Sequence, residues 1–208
     1  MFGLFSQDHD FDFALVKLSS PVELNDHVAP VCFPSESLKL DDVFGPRSTC
    51  AVTGWGSTST EFFREEASPV LKKDNTQLFS LQKCKELFLD LKYPVEVTDR
   101  MLCAGNYMLI KCCLFQMIII GHRKTLLEDP KKCNNLGKGD SGGPLVCQNG
   151  DRWYHLGAAS WRSPNCEVDQ FTPTVFASTI NMREWIIETL QNNTSVMEDF
   201  VNLLINDS

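Results

Sequence analysis

A chain of 208 residues with 43% hydrophobic and 22% charged residues has enough apolar side chains for one buried core. That composition excludes wholesale disorder and collagen-like or low-complexity architecture. The 19 basic residues against 27 acidic ones leave a formal net charge of −8, which argues against a nucleic-acid grip and against a polybasic membrane patch.

The 9 cysteines are well above ordinary usage for this length and point to an oxidising compartment unless they bind metal. Metal-type spacing is poor. Cys32, Cys50, Cys84, Cys103, Cys112, Cys113, Cys133, Cys147 and Cys166 include no C-x-x-C, and no paired histidines accompany them, so a disulfide framework is the better reading. The odd number leaves at least one thiol unpaired or paired outside the chain. The first six residues, MFGLFS, have neither a basic stretch nor an apolar run long enough for a signal peptide, although disulfides call for secretion. An N-terminally truncated version of a secreted protein reconciles the two.

In chain order, residues 11–22 (FDFALVKLSSPV) are rich in β-branched and apolar side chains and predict a strand that Asp12 opens and Pro21 ends. CAVTGWG from Cys50 to Gly56 predicts a second strand ending at glycines, and residues 57–76, polar and without period, read as loop. Leu81, Cys84, Leu87, Phe88 and Leu91 fall at helical spacing and mark a short helix. Met108 to Ile120 is almost wholly apolar, but Lys111 and Gln116 interrupt it and it is too short for a membrane span. Residues 180–190, around Trp185 and Ile186, predict a terminal amphipathic helix, and residues 192–208 form a polar tail. Asn192, Asn193 and Asn206 stand in N-x-S/T sequons, which matter only on the secretory route. Short strands separated by turns, with one helix between and one at the end, make the fold class all-β, a barrel or sandwich.

The segment richest in chemistry is Gly139-Asp140-Ser141-Gly142-Gly143-Pro144. Glycines around a serine let a tight turn present the hydroxyl outward while the N–H groups of Gly139 and Ser141 serve as an oxyanion hole. That pattern suits acyl chemistry and calls for no cofactor and no metal.

This string resembles the nucleophile motif of trypsin/chymotrypsin-type serine proteases (peptidase S1). DFALVKLSSPVELNDHVAPVCFP resembles that family's segment carrying the triad aspartate, and CAVTGWG the strand that opens its second barrel. MLCAG, Ser160-Trp161, PTVF and the closing helix follow in family order. The resemblance implies a double antiparallel β-barrel, here with the first barrel largely missing. It covers residues 1–191 as a partial protease domain, with 106–135 as an atypical insertion. That insertion is either an adaptive loop or inserted non-native sequence, and its lack of turn chemistry and period favours the second.

Residue by residue, the resemblance makes Ser141 the nucleophile, Asp12 the carboxylate that orients the base, and Gly139 and Ser141 the oxyanion donors. Asp140 in the family pairs with a new N-terminal amine, and here would be left without that partner. Ser160 would lie beside the triad carboxylate and Trp161 would wall the substrate cleft. The implied disulfides are Cys50 with Cys147, Cys84 with Cys103, and Cys133 with Cys166, while Cys32 would normally reach a propeptide cysteine.

The departures bear on activity. The family's base histidine lies upstream of the aspartate in an Ala-Ala-His-Cys setting, and His9, His27, His122 and His155 do not stand in one. In triads of this type, losing one member costs on the order of a million-fold and leaves about a thousand-fold over water. The pocket departs as well: Asn135 occupies the position of the trypsin-like Asp, Gly137 that of a cysteine, Arg162 that of a small residue after Ser-Trp, and Thr174 that of a glycine. The expectation is a serine-protease-like chain without proteolytic activity. One alternative is the C-terminal part of a secreted endopeptidase completed by upstream sequence. Another is a non-catalytic module whose cleft holds a protein or peptide ligand or a protease inhibitor. The resemblance points to an extracellular or secretory setting and leaves the oligomeric state open.

Overall fold

The computed structural model describes residues 9–38, 40, 48–57, 67–90, 95–105, 139–162 and 172–192. Six strands and two helices follow one another: β1 (Cys50–Gly54), β2 (Lys72–Phe79), α1 (Leu81–Asp90), β3 (Met101–Gly105), β4 (Pro144–Asn149), β5 (Arg152–Arg162), β6 (Thr174–Ser178) and α2 (Arg183–Asn192). The strands close into one barrel in the order β1-β2-β3-β6-β5-β4, with antiparallel pairing throughout. Closure leaves the barrel without an open edge. The expected all-β class, with an intermediate and a C-terminal helix, is what the chain adopts.

Alternation along β3 sorts its side chains between two cores. Leu102 and Ala104 join Val52, Leu78, Leu145, Leu156 and Phe176 in one cluster, while Met101 and Cys103 pack with Cys84, Phe88, Trp161 and Val175 in the other. α1 joins the second cluster through Cys84 and Phe88, four residues apart on one face. Its start is capped by Ser80, whose Oγ accepts the Lys83 N–H at 3.2 Å. The β4–β5 hairpin turns through Gly150 and Asp151, between paired Asn149 and Arg152. Gly150 has φ 58°, the positive value that the first central position of a II′ turn requires.

Two expectations need correction. Residues 72–76, read as loop, belong to β2, whose sequence KKDNTQLF is mostly polar. Ladder bonds to β1 and β3 on its two sides hold it extended despite weak propensity. Residues 11–22, read as a strand, form none. Among the described residues the bridges in this N-terminal segment are Asn25 with Val28 and Cys32 with Tyr154. Strand propensity without a neighbouring ladder does not make a strand, and Val16 stays 85% exposed, with Leu18 and Leu24 exposed beside it.

The N-terminal segment is instead held to the barrel at separate points. The Phe13 ring meets the Trp185 edge at 6.2 Å, the Cys32 N–H donates to the Trp153 carbonyl at 2.9 Å, and the His155 N–H donates to the Cys32 carbonyl at 2.9 Å. Buried Arg183 of α2 donates from Nε to the Pro34 carbonyl at 3.1 Å and from Nη1 to Glu36 at 2.8 Å.

Candidate active site

The turn that leads into β4 carries the serine. Gly139 and Gly142 have φ 101° and 77°, values a side chain makes costly, so glycines on either side of Asp140-Ser141 let the chain fold back tightly. The Gly142 N–H donates to the Ala159 carbonyl at 2.8 Å, and the Gly143 N–H to the Asp140 carbonyl at 2.9 Å. The first bond ties the turn to β5, the second closes the turn on itself, and Ser141 is left exposed. Among the described residues, the N–H groups of Gly139 and Ser141 make no hydrogen bond. Two unengaged backbone donors beside an exposed hydroxyl are the minimum that an oxyanion site requires.

Asp140 is engaged by the backbone of the CAVTGWG segment. Its Oδ1 accepts the Gly56 N–H at 2.7 Å. The carboxylate lies so close to Gly54 and Gly56 that a Cβ on either would overlap it. Composition gave no sign of this cradle, although the spacing of the two glycines in GWG was a signal that could have been read.

Asp12 and Ser160 are brought together. The Ser160 Oγ donates to Asp12 Oδ2 at 2.6 Å. Ser160 reaches it from an irregularity in β5, where Ala159 pairs with Phe176 and Trp161 with Val175, so Ser160 itself has no partner across the ladder. A bulge of this kind re-aims a side chain. Trp161, the next residue, is turned inward against Phe88 at 4.9 Å between ring centres, and His9 stacks on it at 5.4 Å.

Of the other residues singled out in the pocket, Arg162 and Thr174 are paired across β5 and β6, with Thr174 buried and Arg162 exposed. Asn135 and Gly137 lie outside the described residues, as does the whole 106–135 segment. The disulfides Cys50–Cys147 and Cys84–Cys103 are formed as the resemblance implied. Cys133 and Cys166 lie outside the described residues, and Cys32 is a free, half-buried thiol.

Among the described residues, no histidine nitrogen is hydrogen-bonded to Asp12 or to Ser141. His155 places Nδ1 2.8 Å from Thr179 Oγ1, and burial pushes its pKa down from the ordinary 6.5. The backbone of His27 caps into an exposed turn, donating to Asn25 Oδ1 at 2.8 Å. Sequence reasoning also missed Arg100. It clasps Asp10 and holds that carboxyl below the usual carboxylate range, a contact across 90 positions that no local pattern could announce.

The family model described as Trypsin matches residues 4–111 and 125–186. The chain belongs to the trypsin family. A human relative, Transmembrane protease serine 5, is 32% identical over 188 residues, covering 90% of this chain and 34% of that protein. The chain thus spans about a third of the length of this trypsin-family relative. The internal stretch that the family model leaves unmatched, 112–124, falls inside the segment from Asn106 to Asn135.

Proposed function

We propose that this trypsin-family chain is a serine-protease-like protein that, by itself, does not hydrolyse peptide bonds. The observation that carries the reading is the pairing of Asp12 with Ser160 while no described histidine is hydrogen-bonded to Asp12 or Ser141. A serine hydroxyl without an adjacent base keeps its proton and remains a weak nucleophile. The turn at Ser141 and the free N–H groups beside it support an ancestral acyl-transfer geometry. Asp12 is the carboxylate that would orient a base, Gly139 and Ser141 the oxyanion donors, and Ser160, Trp161, Arg162 and Thr174 the wall of the former substrate cleft.

A second reading is favoured by the apolar side chains left in solvent along residues 11–31, among them Val16, Leu18 and Leu24. Together with the span of about a third of its human relative, they support a C-terminal portion of a secreted endopeptidase whose upstream sequence supplies the base and a first barrel. Family membership and the disulfides suggest an extracellular or secreted setting. Among the described residues no helix is long and apolar enough to cross a membrane.

The test is intact-mass and peptide mapping of the natural N-terminus, paired with hydrolysis of ester and peptide substrates by the 208-residue chain. A natural chain starting at Met1, and turnover equal to that of Ser141→Ala, support the inactive reading. Upstream sequence bearing a histidine in an Ala-Ala-His-Cys setting, or turnover lost on Ser141→Ala, overturns it.

A further inference from the structure

We propose that Arg100 is a positioning residue for Asp12: its guanidinium clamps the turn at Asp10 and Phe11 and so sets the direction in which the Asp12 carboxylate meets Ser160. Phe11, immediately before Asp12, has φ 57°, and it is the described non-glycine residue in the left-handed region. A bulky aromatic residue rarely adopts that conformation, and it persists only where surrounding contacts over-determine it.

Arg100 supplies those contacts from the entry to β3. Its Nε donates to both carboxylate oxygens of Asp10 at 3.0 and 3.1 Å, and its Nη2 to Oδ2 as well. The same guanidinium lies 4.4 Å from the centre of the Phe11 ring, so one planar cation grips the residues on both sides of the peptide that reverses direction. Asp10 is further fixed by Thr98 Oγ1 at 3.0 Å, and its Oδ1 also accepts the Phe11 N–H at 3.0 Å. Arg100 is itself anchored, its carbonyl accepting the Ser178 N–H at 2.8 Å and its Nη1 donating to Asp99 at 3.2 Å.

Asp12 has no such support of its own. It is exposed, and among the described residues its side chain has Ser160 as its hydrogen-bond partner. With one bond at its tip, its direction is inherited from the backbone, and that backbone is pinned one and two residues earlier by Arg100. The inference deepens the reading of Asp12 as an active-site carboxylate and rests on it for its catalytic meaning.

The experiment is a double-mutant cycle in the full 208-residue chain, reading the coupling between Asp12→Ala and Ser160→Ala from urea unfolding, first with Arg100 present and then in Arg100→Gln. With Arg100 in place the coupling is expected to be about fivefold in the unfolding constant, and in Arg100→Gln to fall to about one. Adding Phe11→Asn, which tolerates the left-handed region, is expected to restore the coupling without restoring the ion pair. If Arg100→Gln does not fold, the cycle in Asp10→Asn decides in the same way. A coupling unchanged by loss of the clamp, or not restored by Phe11→Asn, overturns the proposal. Hydrolytic activity does not enter this readout, so an active chain would refute the functional reading and leave the positioning role standing.

Discussion

Ser160 Oγ and Asp12 Oδ2, 148 positions apart in the chain, are joined by a 2.6 Å hydrogen bond. It ties an N-terminal segment that has no ladder of its own to the irregular point of β5. A bond to a charged acceptor is stronger than a neutral one, but water competes for this exposed pair. Ser160→Ala is expected to cost about 1 kcal/mol, read as a lower urea midpoint with an unchanged slope.

The two disulfides among the described residues close loops of very different length, 97 and 19 positions of separation. If the main effect is on the entropy of the unfolded chain, the longer loop stabilises more, by about 4 to 5 kcal/mol against about 3. The paired variant Cys50→Ser with Cys147→Ser is therefore expected to unfold at lower denaturant than Cys84→Ser with Cys103→Ser.

Gly54 and Gly56 make room for the Asp140 carboxylate, whereas a Cβ at Gly142 would meet nothing within 4 Å. Gly142 has a positive φ of 77°, so Gly142→Ala costs only backbone strain, about 1 kcal/mol. Gly56→Ala must displace the carboxylate and break its 2.7 Å bond, at about 2 to 4 kcal/mol. Unfolding curves that rank Gly56→Ala below Gly142→Ala bear this out.

His155 is held neutral by burial, with its pKa lowered from 6.5. Above 6.5 the folded and unfolded chains both carry it uncharged. As pH falls below 6.5 the unfolded chain takes up the proton first, so stability is lost between 6.5 and the lower folded value. His155→Gln is expected to flatten the pH dependence of the urea midpoint in that window.

What could be read from the sequence was what is locally encoded. GDSGGPLVC announced itself because Gly139 and Gly142 need conformations that few residues adopt. α1 announced itself because Cys84 and Phe88 share a face. The polar strand β2 stayed hidden, since its conformation comes from β1 and β3 on either side and not from its own side chains. Residues 11–22 misled for the converse reason, having strand propensity and no ladder partner. The clasp of Asp10 by Arg100 and the glycine cradle around Asp140 are long-range contacts that leave no periodic trace.

The proposal of an inert chain rests on no described histidine being hydrogen-bonded to Asp12 or Ser141, and the most direct measurement is labelling by a fluorophosphonate probe, with Ser141→Ala as control. The account predicts that the folded 208-residue chain labels no more than Ser141→Ala does. Clear labelling that disappears in Ser141→Ala would contradict it.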